Sequence, residues 1–254
     1  MHLCLQFYHA QYNMSSNMQP TVLYEDEDVL VVDKPAGLVV HGGTKTKGET
    51  LVDWLVTKYP DIKNIGEPGR DSEGKEILRS GIVHRLDRDT SGVMLVAKNQ
   101  KSFENLKKQF QEHKIVKKYE AFVFGEMKND SGVIDRPIGR SSSDFRKWSA
   151  QRGARGELRE AVTEYKVLSK NKDYSFLEIF PKTGRTHQIR VHMKAINHPL
   201  VGDSLYTPNR ENSLGLERTA LHSKDVTFEG LDGVTHTVTA PYSEDFEKAL
   251  RLIN

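Results

Sequence analysis

Apolar runs short enough to be strands follow one another along this chain, often with no helix between them, and that pattern limits the folds open to it. Val22-Leu23-Tyr24 and Val29-Leu30-Val31-Val32 flank an acidic turn. Lys34-Pro35-Ala36-Gly37 ends the second run, and Leu38-Val39-Val40 is expected to resume it. Ile82-Val83 and Val93 to Val96 read as strands on either side of a polar segment. Ile115 to Phe124, Val162 to Leu168, Tyr174 to Phe180, Val226 to Phe228 and Val234 to Thr239 add further ones. Strands joined without a crossover helix pair antiparallel. The expected class is therefore α+β, with a mixed, largely antiparallel sheet flanked by helices and loops.

Helical periodicity marks few segments. Thr50 is placed to cap a helix bearing Leu51, Trp54, Leu55 and Tyr59, which Pro60 stops. Asp61 to Ser80 reads as a loop. Ser102 to Glu112 turns Phe103, Leu106 and Phe110 inward, Thr186 to Asn197 reads as a helix, and Ser243 to Leu252 as a closing amphipathic one. Gly139 to Gly156, rich in Ser, Gly and Arg, reads as a mobile basic loop. No repeat or break in composition divides the chain after Pro20, so residues 1–20 are expected to be a flexible tail and 21–254 one domain.

With a single cysteine, Cys4, in 254 residues, the chain has no internal disulfide and no Cys-rich zinc site. No apolar run approaches the roughly 18–20 residues that cross a bilayer, and no Lys or Arg precedes the apolar patch Leu3 to Tyr8 as it would in a signal peptide. A cytoplasmic protein without membrane contact is expected. Net charge is only +2, but it is segregated. Tyr24 to Asp33 has five acids and no bases, whereas Lys98 to Lys118 has seven lysines against two acids. Arg136 to Glu160 has seven bases against three acids, and Lys182 to Lys194 no acid at all. Folded onto one face, the basic stretches suit a polyanion.

Two segments carry chemistry. His84-Arg85-Leu86-Asp87-Arg88-Asp89-Thr90-Ser91-Gly92 has more polar residues than a turn between strands needs. Asp87 and Asp89 are either an acid and base pair, or one reacts while the other caps the turn, or both belong to a charged surface turn. The second is Lys182 to His192, with Thr183-Gly184-Arg185-Thr186-His187-Gln188-Ile189-Arg190 at its centre. His192 shares a helix face with Ile189, Met193 and Ile196, which suits a core histidine as well as a functional one. His187 and His192 lie about 140° apart around a helix, so they do not face one metal ion. There is no P-loop, no Gly-x-Gly-x-x-Gly after a strand and no Gly-x-Ser-x-Gly around Ser91.

Together these stretches resemble the RluA-type family of RNA pseudouridine synthases. The resemblance rests on Val31 to His41, on His84 to Gly92 running into Val93 to Lys98, on Lys117-Lys118-Tyr119-Glu120-Ala121, and on Thr183 to His192 with His198-Pro199-Leu200-Val201-Gly202-Asp203. It covers the chain from Thr21 onward. It implies a single pseudouridine-synthase catalytic domain that needs no cofactor and no metal. The substrate it implies is RNA, with large-subunit rRNA the first choice and tRNA the second, and a non-catalytic RNA-binding or ribosome-assembly module is the rival of another class. By the same resemblance Asp87, not Asp89, is the nucleophile, Tyr119 stacks on the uracil and helps remove the C5 proton, and Arg190 pairs with Asp87. Ile189 walls the base pocket and Arg85 enters the RNA stack as the uridine flips out. Arg88, Arg185 and His187 are expected to touch RNA. Many relatives carry an N-terminal S4-type RNA-binding domain; no such domain is expected before Thr21, and Asp71 to Ser80 reads as an insertion. A monomer is expected.

Overall fold

A computed structural model describes residues 19–42, 48–70, 74, 76–77, 79–151 and 154–253. The expected tail lies outside these residues except for 19 and 20, as does Cys4, and half of the stretch read as an insertion at 71–80 lies outside them.

The strands are β1 (Thr21–Glu25), β2 (Val29–Lys34), β3 (Gly69–Arg70), β4 (Glu76–Ile77), β5 (Ser91–Ala97), β6 (Val116–Phe124), β7 (Ser131–Asp135), β8 (Ile138–Arg140), β9 (Trp148–Ser149), β10 (Arg155–Arg159), β11 (Val162–Lys170), β12 (Tyr174–Pro181), β13 (Leu221–Glu229) and β14 (Thr235–Thr239). The helices are α1 (Leu51–Lys58), α2 (Gln100–Gln111), α3 (Gln188–Ala195) and α4 (Glu244–Ile253), with a 3-10 turn at Pro60–Asn64. One nine-stranded sheet runs β1-β2-β5-β13-β6-β12-β11-β7, with β14 on β13. Its pairs are antiparallel except β5 with β13, which is parallel. This is the expected α+β class. No helix among the described residues is long and apolar enough to cross a membrane.

The central strands are buried on both faces, and alternation decides which face each residue serves. Leu30, Val32, Met94, Val96, Tyr119, Ala121 and Ile179 join one core with Leu55 of α1 and Ile189 and Met193 of α3. Val29, Val31, Val93 and Leu95 join another with Phe103 and Leu106 of α2. Phe122 and Phe176 stack at 4.8 Å and meet Phe246 of α4. Thr50 and Asp53 form a capping box at α1, worth about 1 kcal/mol.

Several readings change. Gly139 to Gly156 is not a mobile loop throughout, because β8, β9 and β10 form a three-stranded sheet in which Arg140 lies 4.1 Å over the Trp148 ring. Cross-strand stacking of this kind is invisible to a reading by composition. Leu38 to Val40 makes no strand, and Ile82 makes only an isolated bridge to Val96. Helix α3 starts at Gln188 rather than Thr186, because His187 adopts left-handed backbone angles.

Gly92 shows why the polar segment ends in glycine. Its φ is +108°, and a Cβ there would lie 2.2 Å from the carbonyl oxygen of Ser223 on β13. Gly92→Ala is expected to cost about 3 kcal/mol or more, since both the backbone angle and the β5–β13 approach must give. Denaturant unfolding measures this, and a midpoint equal to that of the wild type would contradict it.

Candidate active site

Lys34 ends β2 fully buried, and its ammonium donates to the carbonyls of Pro35 (2.9 Å), Leu38 (2.9 Å) and Arg88 (3.0 Å). An ammonium has three hydrogens, so all are used, and the residue after Asp87 is pinned to the β2 turn. Gly37 N–H also donates to the Arg88 carbonyl at 2.9 Å, and Thr90 N–H to that of Asp87 at 3.2 Å. Burial pushes the Lys34 ammonium down to about 7, while the Asp89 and Asp87 charges oppose the shift. At the start of the loop His84 Nε2 accepts the Leu95 N–H at 2.9 Å. Burial, and then the Lys117 charge, push this imidazole down to about 3, so it is neutral as that bond requires.

The opposite wall comes from β6 and the entry to α3. Tyr119, 8% exposed, lies on the sheet face that packs α1 and α3. Burial pushes its phenol up to about 12; the Ser223 hydrogen bond opposes this and the Asp87 charge adds to it. At the start of α3, the side-chain Oε1 of Gln188 accepts from Arg185 N–H (3.0 Å) and the Thr183 hydroxyl (2.6 Å). Its amide donates to the Val162 carbonyl and Thr163 Oγ1 at 3.0 Å each. Gln188 therefore fixes the turn that aims the first residues of α3.

Arg190, one residue beyond Ile189 in the first turn of α3, bridges two carboxylates. Its Nη1 donates to Asp87 Oδ2 at 3.0 Å, and its Nε and Nη2 donate to Asp203 Oδ2 and Oδ1 at 2.7 and 2.8 Å. Asp203 is fully buried, and its Oδ1 also accepts the N–H groups of Leu205 and Tyr206 at 3.1 Å. Burial disfavours the Arg190 charge, but the hydrogen bonds to Asp203 and the charges of both aspartates outweigh it and hold the group above its ordinary value. The planar fork of arginine suits this task, as a point charge would not.

Of the residues expected from sequence, Arg85, Asp87, Tyr119, Arg185, His187, Ile189 and Arg190 line one cleft of ≈ 100 Å³. It adjoins a larger space of ≈ 700 Å³, with Arg85, Lys117, Tyr119, Gly184 and Arg185 common to both. Arg88 does not line the cleft. Its side chain is 71% exposed and its Nε donates to the Gly37 carbonyl at 3.3 Å. Asp89 lies 3.8 Å from Arg88 and likewise stays outside the lining, so the second carboxylate of the site is Asp203. His192 is a core histidine, with Nδ1 2.9 Å from Thr163 Oγ1 and Nε2 2.9 Å from the Arg136 carbonyl. Among the described residues no group of three His, Cys, Asp or Glu is placed to hold a metal ion.

Sequence reasoning gave no role to three residues. Asp203 ends one of the stretches that carry the family resemblance, but nothing local connects it with Arg190. Tyr206 places its hydroxyl 3.0 Å from His187 Nδ1. Lys117 precedes Tyr119 by two on the same side of β6, which alternation could have revealed. Its Nζ donates to the Thr183 carbonyl at 3.4 Å, and burial pushes it down to about 8. Many lysines and arginines of the basic stretches are paired instead: Lys107 with Glu67, Lys118 with Asp225, Arg146 with Asp144 and Lys182 with Glu164. Arg85, Lys117 and Arg185 form no ion pair among the described residues and are left to face the cleft.

This architecture is shared with known pseudouridylate synthase domains. The structure of human RNA pseudouridylate synthase domain containing 1 superposes with a TM-score of 0.70 at 25% identity, covering 91% of this chain and 86% of that one. Residues 28–195 match the family described as RNA pseudouridylate synthase, and the chain belongs to that family. It is an RNA pseudouridine synthase, an isomerase. An uncharacterized RNA pseudouridine synthase of Synechocystis is 39% identical over 93% of this chain and 70% of its own length. Ribosomal large subunit pseudouridine synthase D of Pseudomonas aeruginosa is 36% identical over 94% of this chain and 73% of its own.

Proposed function

We propose that the protein converts a uridine of large-subunit ribosomal RNA to pseudouridine with Asp87 as nucleophile, acting as a cytoplasmic monomer. The observation that carries the chemistry is the guanidinium of Arg190 held between Asp87 and Asp203. A carboxylate in a cleft between apolar walls is kept there at a cost unless a fixed partner faces it. Arg190 is that partner, and because Asp203 holds it by two bonds it cannot follow Asp87 away from the cleft. Tyr119 and Ile189 give apolar surfaces for a flat uracil.

The reaction breaks the bond from C1′ to N1, makes one from C1′ to C5, and moves one proton from C5 to N1. Nothing is oxidised and no water is consumed, so a carboxylate that attacks and then leaves is sufficient covalent chemistry. With its phenol pushed up to about 12, Tyr119 holds its proton at neutral pH and enters the reaction as a hydrogen-bonding group. It takes up the C5 proton only in concert with passing its own onward. The target base must leave its stack to reach this cleft, and Arg85, Lys117 and Arg185 supply charge for the flanking phosphates.

The ribosomal target rests on relatives named as ribosomal large subunit pseudouridine synthase D, in Pseudomonas aeruginosa and, at 39% identity over 76% of this chain, in Blochmanniella floridana. Chemical mapping of pseudouridines in total RNA, with and without the gene, tests it. Loss of one or more sites in large-subunit rRNA is expected. Loss confined to tRNA would overturn the target and leave the chemistry standing.

A further inference from the structure

His187 occupies a position where the chain forgoes a local advantage. As the N-cap of α3 it stands where Ser, Thr, Asp or Asn is favoured, yet its side chain caps nothing, and φ 55° with ψ 21° places a non-glycine residue in the left-handed region. Such a conformation persists where the surroundings require it. The imidazole is turned between two groups of the site. Its Nε2 lies 3.9 Å from Asp87 Oδ2, its Nδ1 lies 3.0 Å from Tyr206 Oη, and the His187 and Tyr206 rings meet at 5.7 Å and 90°.

Counting hydrogens decides which nitrogen carries the proton. The backbone N–H of Trp148 donates to Tyr206 Oη at 3.0 Å, so the phenol oxygen already serves as an acceptor. Tyr206 is buried, and among the described residues its own hydrogen has His187 Nδ1 as its acceptor. Donation there leaves Nδ1 without a hydrogen and puts the imidazole proton on Nε2, facing Asp87. The other tautomer would strand a buried phenol hydrogen and turn a nitrogen lone pair toward a carboxylate, both unfavourable. Burial also keeps His187 below its ordinary pKa, the Asp87 charge opposing, so the neutral ring is the relevant species.

We propose that Tyr206 locks His187 in the Nε2–H form, so that His187 and Arg190 together hold Asp87 Oδ2 and leave Oδ1 to attack the substrate. Both groups address the same oxygen: Arg190 Nη1 lies 3.0 Å and His187 Nε2 3.9 Å from Oδ2. Among the described residues Oδ1 accepts no hydrogen bond. The longer contact exceeds hydrogen-bond length, as is common for catalytic contacts that tighten once substrate is bound. His187 is thus a positioning residue, and Trp148, Tyr206 and His187 tie the small β8–β10 sheet to the nucleophile. The inference rests on Asp87 being that nucleophile.

Tautomers are read from long-range proton–nitrogen correlation spectra of the 15N-labelled full chain, with the His187 signals assigned by their loss in His187→Asn, a residue that tolerates left-handed angles. The wild type is expected to show Nε2–H, and Tyr206→Phe a mixture of both tautomers. With an RNA substrate, each variant is expected to lower kcat about tenfold, the worth of one charge-assisted hydrogen bond, with KM nearly unchanged. The double variant should lose little more, because both changes break one chain of contacts. An Nδ1–H wild type would overturn the proposal, as would a rise in KM alone, which would make His187 an RNA contact. So would an unchanged kcat in Tyr206→Phe despite a released tautomer. Should Tyr206→Phe melt too low to assay, the wild-type tautomer and the kcat of His187→Asn decide. Activity retained in Asp87→Asn would instead defeat the reading of Asp87 and leave the tautomer result untouched.

Discussion

Asp87→Asn is expected to lower pseudouridine formation by about 10⁴-fold or more while the fold and RNA binding persist. Removing a nucleophile costs on that order in enzymes whose other groups stay in place. The amide has the same shape, and its oxygen can still accept from Arg190 Nη1, now 3.0 Å from Asp87 Oδ2. The lost negative charge does not leave Arg190 uncompensated, because Asp203 retains both of its bonds to the guanidinium. Arg85, Lys117 and Arg185 are untouched, so affinity for RNA should change little. Release of tritium from RNA labelled at uridine C5 measures the chemistry, and a gel shift measures binding. Turnover within tenfold of the wild type would sink Asp87 as nucleophile.

Arg190→Met should fail in a different way. It removes the partner of two carboxylates, one of them fully buried, and breaking a buried pair from one side costs about 3–5 kcal/mol. Activity should vanish along with much of the stability. To separate the two effects, Asp203→Asn is added to Arg190→Met. The neutral amide can still accept from Leu205 and Tyr206, which donate to Asp203 Oδ1 at 3.1 Å, and no buried charge is left over. The double variant is expected to regain most of the melting temperature and none of the activity. Recovery of activity with stability would show that Arg190 serves the fold and does nothing for Asp87. Arg190→Lys is a milder case: its charge remains, but one ammonium cannot span both carboxylates in the fork geometry.

Much of the secondary structure was legible because its cause is local. Helix α1 has its cap at Thr50 and its stop at Pro60, and α2 and α4 have clear apolar stripes. The runs that became β2, β5 and β6 announced themselves by β-branched and aromatic residues. The β8–β10 sheet did not, because short strands carrying Arg, Ser and Gly look like loop until a stacked pair such as Arg140 and Trp148 closes them. At the site, the segment around Asp87 was conspicuous for polar residues that no turn needs, whereas Asp203 was inconspicuous. Its importance lies in a contact, and the pattern around it is that of an ordinary turn.

The sequence by itself determined the class of fold, the two chemistry-bearing segments and the family they resemble, because periodicity and motif are properties of neighbouring residues. Only the tertiary structure decided that the second carboxylate is Asp203 and not Asp89, and that Tyr206 stands behind His187. Asp87 and Arg190 are 103 residues apart and meet because β13 inserts between β5 and β6, joining them in one sheet. Alternation along a strand tells which face a side chain takes, but strand order tells which side chains share it. That order is set by packing of the whole chain, so no local pattern could carry it.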